Sequence, residues 1–66
     1  MPLTDRDKLI LEKLIEGKHD KQIGRELGLS GQTVRGAIRL ICARLDAASR
    51  VQACVKYVKK RDGSSD

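Results

Sequence analysis

Arg35 and Arg39 stand four residues apart, and Gln32 lies three before Arg35. On a helix these three side chains share one side. Arg and Gln are also the residue types that engage guanine and adenine edges bidentately in the major groove of duplex DNA. Val34, Ile38, Ile41 and Leu45 advance by four, three and four, which draws a buried stripe along the same stretch. At about 100° per residue, Arg35, Arg39 and Gln32 fall roughly 90 to 150° from the centre of that stripe. One helix over 31–45 can therefore bury one side and offer the other to a groove. Gly36 and Ala37 are expected to leave the offered surface bare, and Ala43 keeps its far end thin. Thr33 and the free N–H groups at the start of the helix suit a phosphate oxygen.

Such a helix needs a frame. Gly28, Leu29 and Ser30 precede it and read as a tight turn: a left-handed helix stop, an apolar plug and an N-cap. Before the turn, Ile23 and Leu27 stack four apart on a short helix over 21–27, with Asp20 as its expected cap. Gly24 between them permits another backbone to come close, at a propensity cost of about 1 kcal/mol. Two short helices joined by a three-residue turn are the helix-turn-helix arrangement.

The flanks supply scaffold. Thr4 with Asp7 three residues on is a capping-box start, and Ile10, Leu11, Leu14 and Ile15 recur at helical spacing up to the stop at Gly17. This gives a helix over 5–16 whose outer face is mixed in charge, with Lys8 and Glu12 four apart. Ser49 caps a last helix over 50–60. Val51, Cys54, Val55 and Val58 share one face of it, and Gln52, Lys56, Lys59 and Lys60 the other. The reading is one all-α domain of four helices over residues 1–60, followed by a disordered polar tail at 61–66.

Bulk properties set the bounds. The chain has 66 residues, enough for one small core. Phe and Trp are absent and Tyr57 is the sole aromatic, so the core is aliphatic and base-stacking single-strand binding is disfavoured. The formal net charge is +5, and most of the excess falls between residues 17 and 45, on the proposed helix-turn-helix. No apolar run approaches the roughly 20 residues of a membrane span, and the N-terminus carries no signal-peptide pattern. Cys42 and Cys54 read as buried thiols in a reducing cytoplasm. Zinc would need ligands beyond these two and the single His19. One loop histidine, two helical cysteines and scattered acids make no catalytic constellation. Neither a cofactor nor a small-molecule ligand is expected.

The order and spacing of these signals resemble the C-terminal DNA-binding domain of the LuxR/FixJ/NarL (GerE-type) regulators. The matching residues begin with Leu3, Thr4, Arg6, Asp7, Leu11, Glu16, Gly17, Lys21 and Ile23. They continue through Leu27-Gly28-Leu29-Ser30, Thr33-Val34-Arg35, Ile38, Ile41 and Arg44-Leu45, and close with Ser49-Arg50 and Gln52-Ala53. The resemblance implies a four-helix domain whose second and third helices bind DNA and whose fourth commonly forms a homodimer contact, here through Val51, Cys54, Val55 and Val58. It places the base-reading positions on Arg35, Gly36 and Arg39, to which the residue reading adds Gln32. It places Lys21, Thr33 and Arg50 against backbone phosphates, where Lys18 is expected to join them. The sequence departs from the family pattern at several points. Asp7 stands where Glu is usual, Gly24 where a small Ala is, Gly36-Ala37 where the pair often ends in His, and Asp46 where Gly is usual.

Such domains usually follow a phosphorylatable receiver or a ligand-binding domain. The chain then reads as the effector domain of a two-component response regulator or LuxR-type protein, or as a stand-alone regulator. The expected activity is sequence-specific binding of double-stranded DNA in transcription regulation. A second reading is a protein-interaction adaptor, such as an RNA polymerase-binding domain resembling sigma factor region four. Leu40, apolar and away from the core stripe of its helix, could serve it.

Overall fold

The computed structural model describes residues 2–63. It has four helices in chain order: α1 (Asp5–Ile15), α2 (Asp20–Leu27), α3 (Gly31–Arg44) and α4 (Arg50–Arg61). Each agrees with the sequence reading to within one residue at either end. Arg61, expected in the tail, is the last residue of α4, and Asp62 and Gly63 form a turn. The remainder of the expected tail, 64–66, lies outside the described residues.

Local chemistry explains where the helices begin and end. At α1 both bonds of the capping box form: Asp7 N–H donates to Thr4 Oγ1 at 3.0 Å and Thr4 N–H to Asp7 Oδ2 at 3.1 Å. Asp7 therefore suffices where a longer acid would also serve. At α2 the expected cap is corrected by one residue. His19 is the N-cap, its backbone N–H donating to Gln22 Oε1 at 3.3 Å, and Asp20 is already helical. The Asp20 carboxylate is free of the cap because it is engaged elsewhere. Ser30 and Ser49 cap α3 and α4 by accepting from Thr33 N–H at 3.1 Å and Gln52 N–H at 3.2 Å.

The turn between α2 and α3 rests on two glycines. Gly28 takes φ +73°, the left-handed stop that glycine adopts without steric cost. Leu29 N–H then reaches back to the Gly24 carbonyl at 2.7 Å. A Cβ on Gly24 would collide with the Leu29 carbonyl oxygen and lie 3.3 Å from the carbonyl carbons of Leu29 and Ser30. The close approach expected at Gly24 is thus to the backbone of the turn itself.

The core gathers Ile10 and Leu11 of α1, Ile23 of α2, Val34, Ala37, Ile38 and Ile41 of α3, and Ala53 and Tyr57 of α4. α3 is the hub, packing against each of the other three helices. Two sequence expectations change here. Ala37 is buried among the aliphatic residues, so only Gly36 of that pair faces solvent. Ile15 sits at the edge of the core, exposed, while Leu14 packs partly buried against it.

Ala53 and Tyr57 of α4 face the core, while Val51 and Val55 are 71% and 49% exposed. At about 100° per residue those valines lie roughly 160 to 200° from Ala53. Cys54 and Val58 are half-buried on one flank, with Cys54 packed against the core. Tyr57 can face inward because its hydroxyl donates to Glu12 Oε2 at 2.9 Å at the edge of the core. Glu12 also accepts from Arg61 at 2.9 and 3.0 Å, so its partners are on α4 and not the neighbouring Lys8. Lys56, on the opposite flank, donates to the carbonyls of Leu45 and Asp46 at 3.2 and 2.7 Å and satisfies the end of α3. None of the described helices is long and apolar enough to cross a membrane.

Candidate nucleic-acid interface

The outer side of α3 follows from its inner side. Because Val34, Ala37, Ile38 and Ile41 are buried, Gln32, Arg35, Gly36, Arg39 and Ala43 are left exposed along the helix. Four of the residues read as base contacts, Arg35, Gly36, Arg39 and Gln32, therefore lie on one solvent-facing surface. Gly36 has open space beside its Cα: apart from its chain neighbours and the backbone of α3 itself, nothing lies within 4 Å of where a Cβ would stand. Arg39 makes no hydrogen bond or ion pair with another described residue, so its guanidinium is open to an incoming ligand.

Arg35 is held from below. Its Nε donates to Asp20 Oδ2 at 3.3 Å, while 60% of its side chain remains exposed. The same carboxylate receives Arg50 of α4 in a forked contact, Nη1 to Oδ1 at 2.6 Å and Nη2 to Oδ2 at 3.2 Å. Arg50 and then Arg35 hold the Asp20 carboxyl below its ordinary range. Asp20 thus fastens together the start of α2, the exposed side of α3 and the start of α4.

Around this knot lies a cleft of about 330 Å³ lined by Lys18, His19, Asp20, Lys21, Arg35 and Arg50. The first residues of α2, Asp20 and Lys21, and the first of α4, Arg50, are in its lining. Lys21 and Arg50, two of the expected phosphate contacts, are both in its wall and exposed. Thr33 stands nearby in sequence at the start of α3. Ser30 Oγ donates to its Oγ1 at 2.9 Å, which orients the Thr33 hydroxyl and leaves its own hydrogen available to an acceptor. Lys18 also lines the cleft, but its ammonium is engaged with Glu26 at 2.8 and 2.9 Å and with Glu16 at 3.5 Å. It contributes charge to the wall, and a direct phosphate contact would have to displace Glu26.

Sequence reading did not find the role of Asp20. Its partners are 15 and 30 residues away, beyond the reach of any helical or capping pattern. Position alone pointed only to a helix start, where Asp is common in any case.

Cys42 and Cys54 are free and half-buried, and burial pushes the Cys54 thiol up. Among the described residues, no group of three or more His, Cys, Asp or Glu is placed to hold a metal.

Comparison with known proteins supplies the context for this geometry. Residues 1–57 match the family described as bacterial regulatory proteins, luxR family. The chain is 39% identical over 59 residues to the transcriptional regulatory protein DesR of Bacillus subtilis, covering 89% of this chain and 30% of that protein. It is 37% identical over 59 residues to the nitrate/nitrite response regulator protein NarP of Escherichia coli, covering 89% of this chain and 27% of that one. With the spore germination protein GerE of Bacillus subtilis the identity is 35% over 57 residues, and the match spans 86% of this chain and 77% of GerE. The chain thus spans under a third of the length of DesR and NarP and most of the length of GerE. The four-helix order, the glycine turn before α3 and the family match over residues 1–57 agree: this chain belongs to the luxR family of bacterial regulatory proteins.

Proposed function

We propose that the chain is the DNA-reading module of a transcription regulator, with α3 lying in the major groove of a double-stranded site. The observation that carries this reading is the outward row of Gln32, Arg35, Gly36 and Arg39 on a helix whose opposite side is core. Arg35 and Arg39 reach base edges, with Gln32 near the helix start. Gly36 lets the helix sit deep. Lys21, Thr33 and Arg50, with the charge of Lys18 behind them, hold the backbone phosphates beside the groove. The reaction is binding, without catalysis or cofactor, and the setting is the bacterial cytoplasm. DesR and NarP are much longer proteins with regulatory names. An effector domain downstream of a signal-receiving domain is the corresponding role here.

The exposed Val51 and Val55 of α4, flanked by Cys54 and Val58, favour a two-fold pairing of domains on adjacent half-sites. A protein partner such as RNA polymerase has one observation in its favour. Leu40 is 56% exposed on α3, pointing away from the core.

Selection of duplexes from a random pool, followed by binding titration at two salt concentrations, tests the main reading. It requires an enriched sequence and an affinity that falls as salt rises. Absence of duplex binding at low salt refutes it and leaves the protein-partner reading.

A further inference from the structure

We propose that Asp20 is a specificity-determining residue: its carboxylate positions Arg35 for base reading by clamping it, together with Arg50, at the junction of α2, α3 and α4. This rests on the reading of α3 as the groove-facing helix.

Three features carry the assignment. The Asp20 side chain is only 13% exposed, although it stands at a helix start on a basic surface. A carboxylate there opposes a polyanion unless it is covered, and the two guanidiniums cover it. Second, the two arginines use it differently. Arg50 takes both carboxylate oxygens through Nη1 and Nη2, whereas Arg35 is bound through Nε alone. No described residue bonds the Nη1/Nη2 edge of Arg35. That edge is the one whose two donors match O6 and N7 of guanine. Third, a long flexible arginine loses rotamer freedom when it binds, and a contact at Nε imposes much of that restriction before the groove arrives.

The consequence separates affinity from discrimination. Asp20 subtracts one charge from the surface that meets phosphate, so it weakens binding to every sequence. It also restricts Arg35 to one approach, so it sharpens the choice between sequences. Removal of the carboxylate moves the two quantities in opposite directions. A carboxylate that merely braced three helices would lower both together, with a loss of folded protein.

The test uses the full chain, as wild type, Asp20→Ala, Asp20→Asn, Arg35→Ala and the double variant Asp20→Ala/Arg35→Ala. Binding is titrated against a duplex enriched by the wild type and against a scrambled duplex, over a range of salt, with thermal unfolding recorded in parallel. The expected result for Asp20→Ala is equal or tighter binding to the scrambled duplex and a steeper salt dependence. Its preference for the enriched duplex should fall by about 5- to 150-fold, the range one lost bidentate contact spans. Asp20→Asn, which keeps an acceptor without the charge, is expected to fall between wild type and Asp20→Ala. The double variant should discriminate no worse than Arg35→Ala alone, because the clamp acts through that side chain.

An unchanged preference in Asp20→Ala and Asp20→Asn overturns the proposal, as does a loss that adds fully to that of Arg35→Ala. Should Asp20→Ala fail to fold, Asp20→Asn carries the same comparison. If the wild type itself shows no preference between duplexes, the reading of α3 fails first. The clamp is then read in the free protein by NMR: an Arg35 Nε–H signal protected from exchange in the wild type and unprotected in both Asp20 variants. Equal exchange in all three overturns the clamp itself.

Discussion

Arg44, the last residue of α3, donates through Nη1 to the carboxylate of Asp7, in the first turn of α1. Asp7 is 2% exposed and is the one buried charged residue described, while Arg44 retains 23% side-chain exposure. The acid sits near a helix N-terminus and the base near a C-terminus, so both helix dipoles favour the pair. The same carboxylate also accepts from Thr4 N–H, which joins the capping box of α1 to the far end of α3. Asp7→Ala should cost on the order of 2–4 kcal/mol, combining the lost cap with a partly buried guanidinium left unpaired. Urea unfolding of the variant measures it. A cost below 1 kcal/mol would show that Arg44 escapes to solvent and that the pair contributes little.

The two helical glycines should respond to alanine with opposite signs. Gly36 is exposed with open space around it, so Gly36→Ala should stabilise by about 0.5–1 kcal/mol through helix propensity. Gly24→Ala pushes a methyl group into the backbone of the turn and should destabilise by about 1–3 kcal/mol. Thermal unfolding of the two variants side by side is sufficient. Equal shifts in the same direction would contradict the placement of the turn.

Asp46 is the one non-glycine residue described with positive φ, at +53°. It follows α3 where Ala47 N–H reaches back to the Cys42 carbonyl at 2.8 Å, the hydrogen-bonding pattern of a left-handed helix stop. Aspartate tolerates that conformation better than most residues, but glycine adopts it without steric cost. Asp46→Gly should raise stability by about 0.5–1 kcal/mol, and Asp46→Val should lower it by more than that. Chemical denaturation of both variants checks the pair.

The legible part of this fold was the local part. Thr4, Ser30, Ser49, Gly17 and Gly28 act on groups three to five residues away, so spacing along the chain was enough to place four helices and the turn. The outer row on α3 was legible for the same reason, since Val34, Ile38 and Ile41 fix which side is inward. What spacing along the chain did not settle was the depth of single positions such as Ala37 and the contacts between distant segments. Val51 and Val55 are more apolar than Ala53 and Tyr57, yet the latter face the core because the Tyr57 hydroxyl finds Glu12, 45 residues earlier. Ala37 is as small as an exposed groove-facing residue needs to be, yet its position beside Ile38 and Ile41 puts it in the core. Asp20, Asp7 and Glu12 each take their decisive partner from another helix, which no local pattern records.

Acid should weaken the ion pairs that tie α2 to α1 and to the loop between them. Glu26 is bonded by Lys13 at 2.6 Å and by Lys18, and these two ammonium groups lower its carboxyl from 4.5 to about 2. Its folded pKa lies below the unfolded one, so its contribution is complete above about pH 5 and is lost between there and about pH 2. Glu12 and Asp20, held below their ordinary values by Arg61 and Arg50 respectively, act in the same direction. Stability should therefore fall as pH drops through that window, and Glu26→Gln should flatten part of the fall. Denaturation midpoints at pH 7, 5 and 3 for wild type and variant provide the check. Parallel profiles for the two proteins would remove Glu26 from the account.

The central claim, that α3 reads bases while the adjoining cleft holds phosphates, is tested most directly by comparing Arg39→Ala with Lys21→Ala. Both should be titrated on an enriched duplex and on a scrambled one across a range of salt. Arg39→Ala should lose about 1–3 kcal/mol on the enriched duplex, with preference relaxed at a single base position. Lys21→Ala should weaken both duplexes by similar factors and reduce the slope of log affinity against log salt by about 1. Equal loss on both duplexes from both variants would contradict the division of labour between helix and cleft.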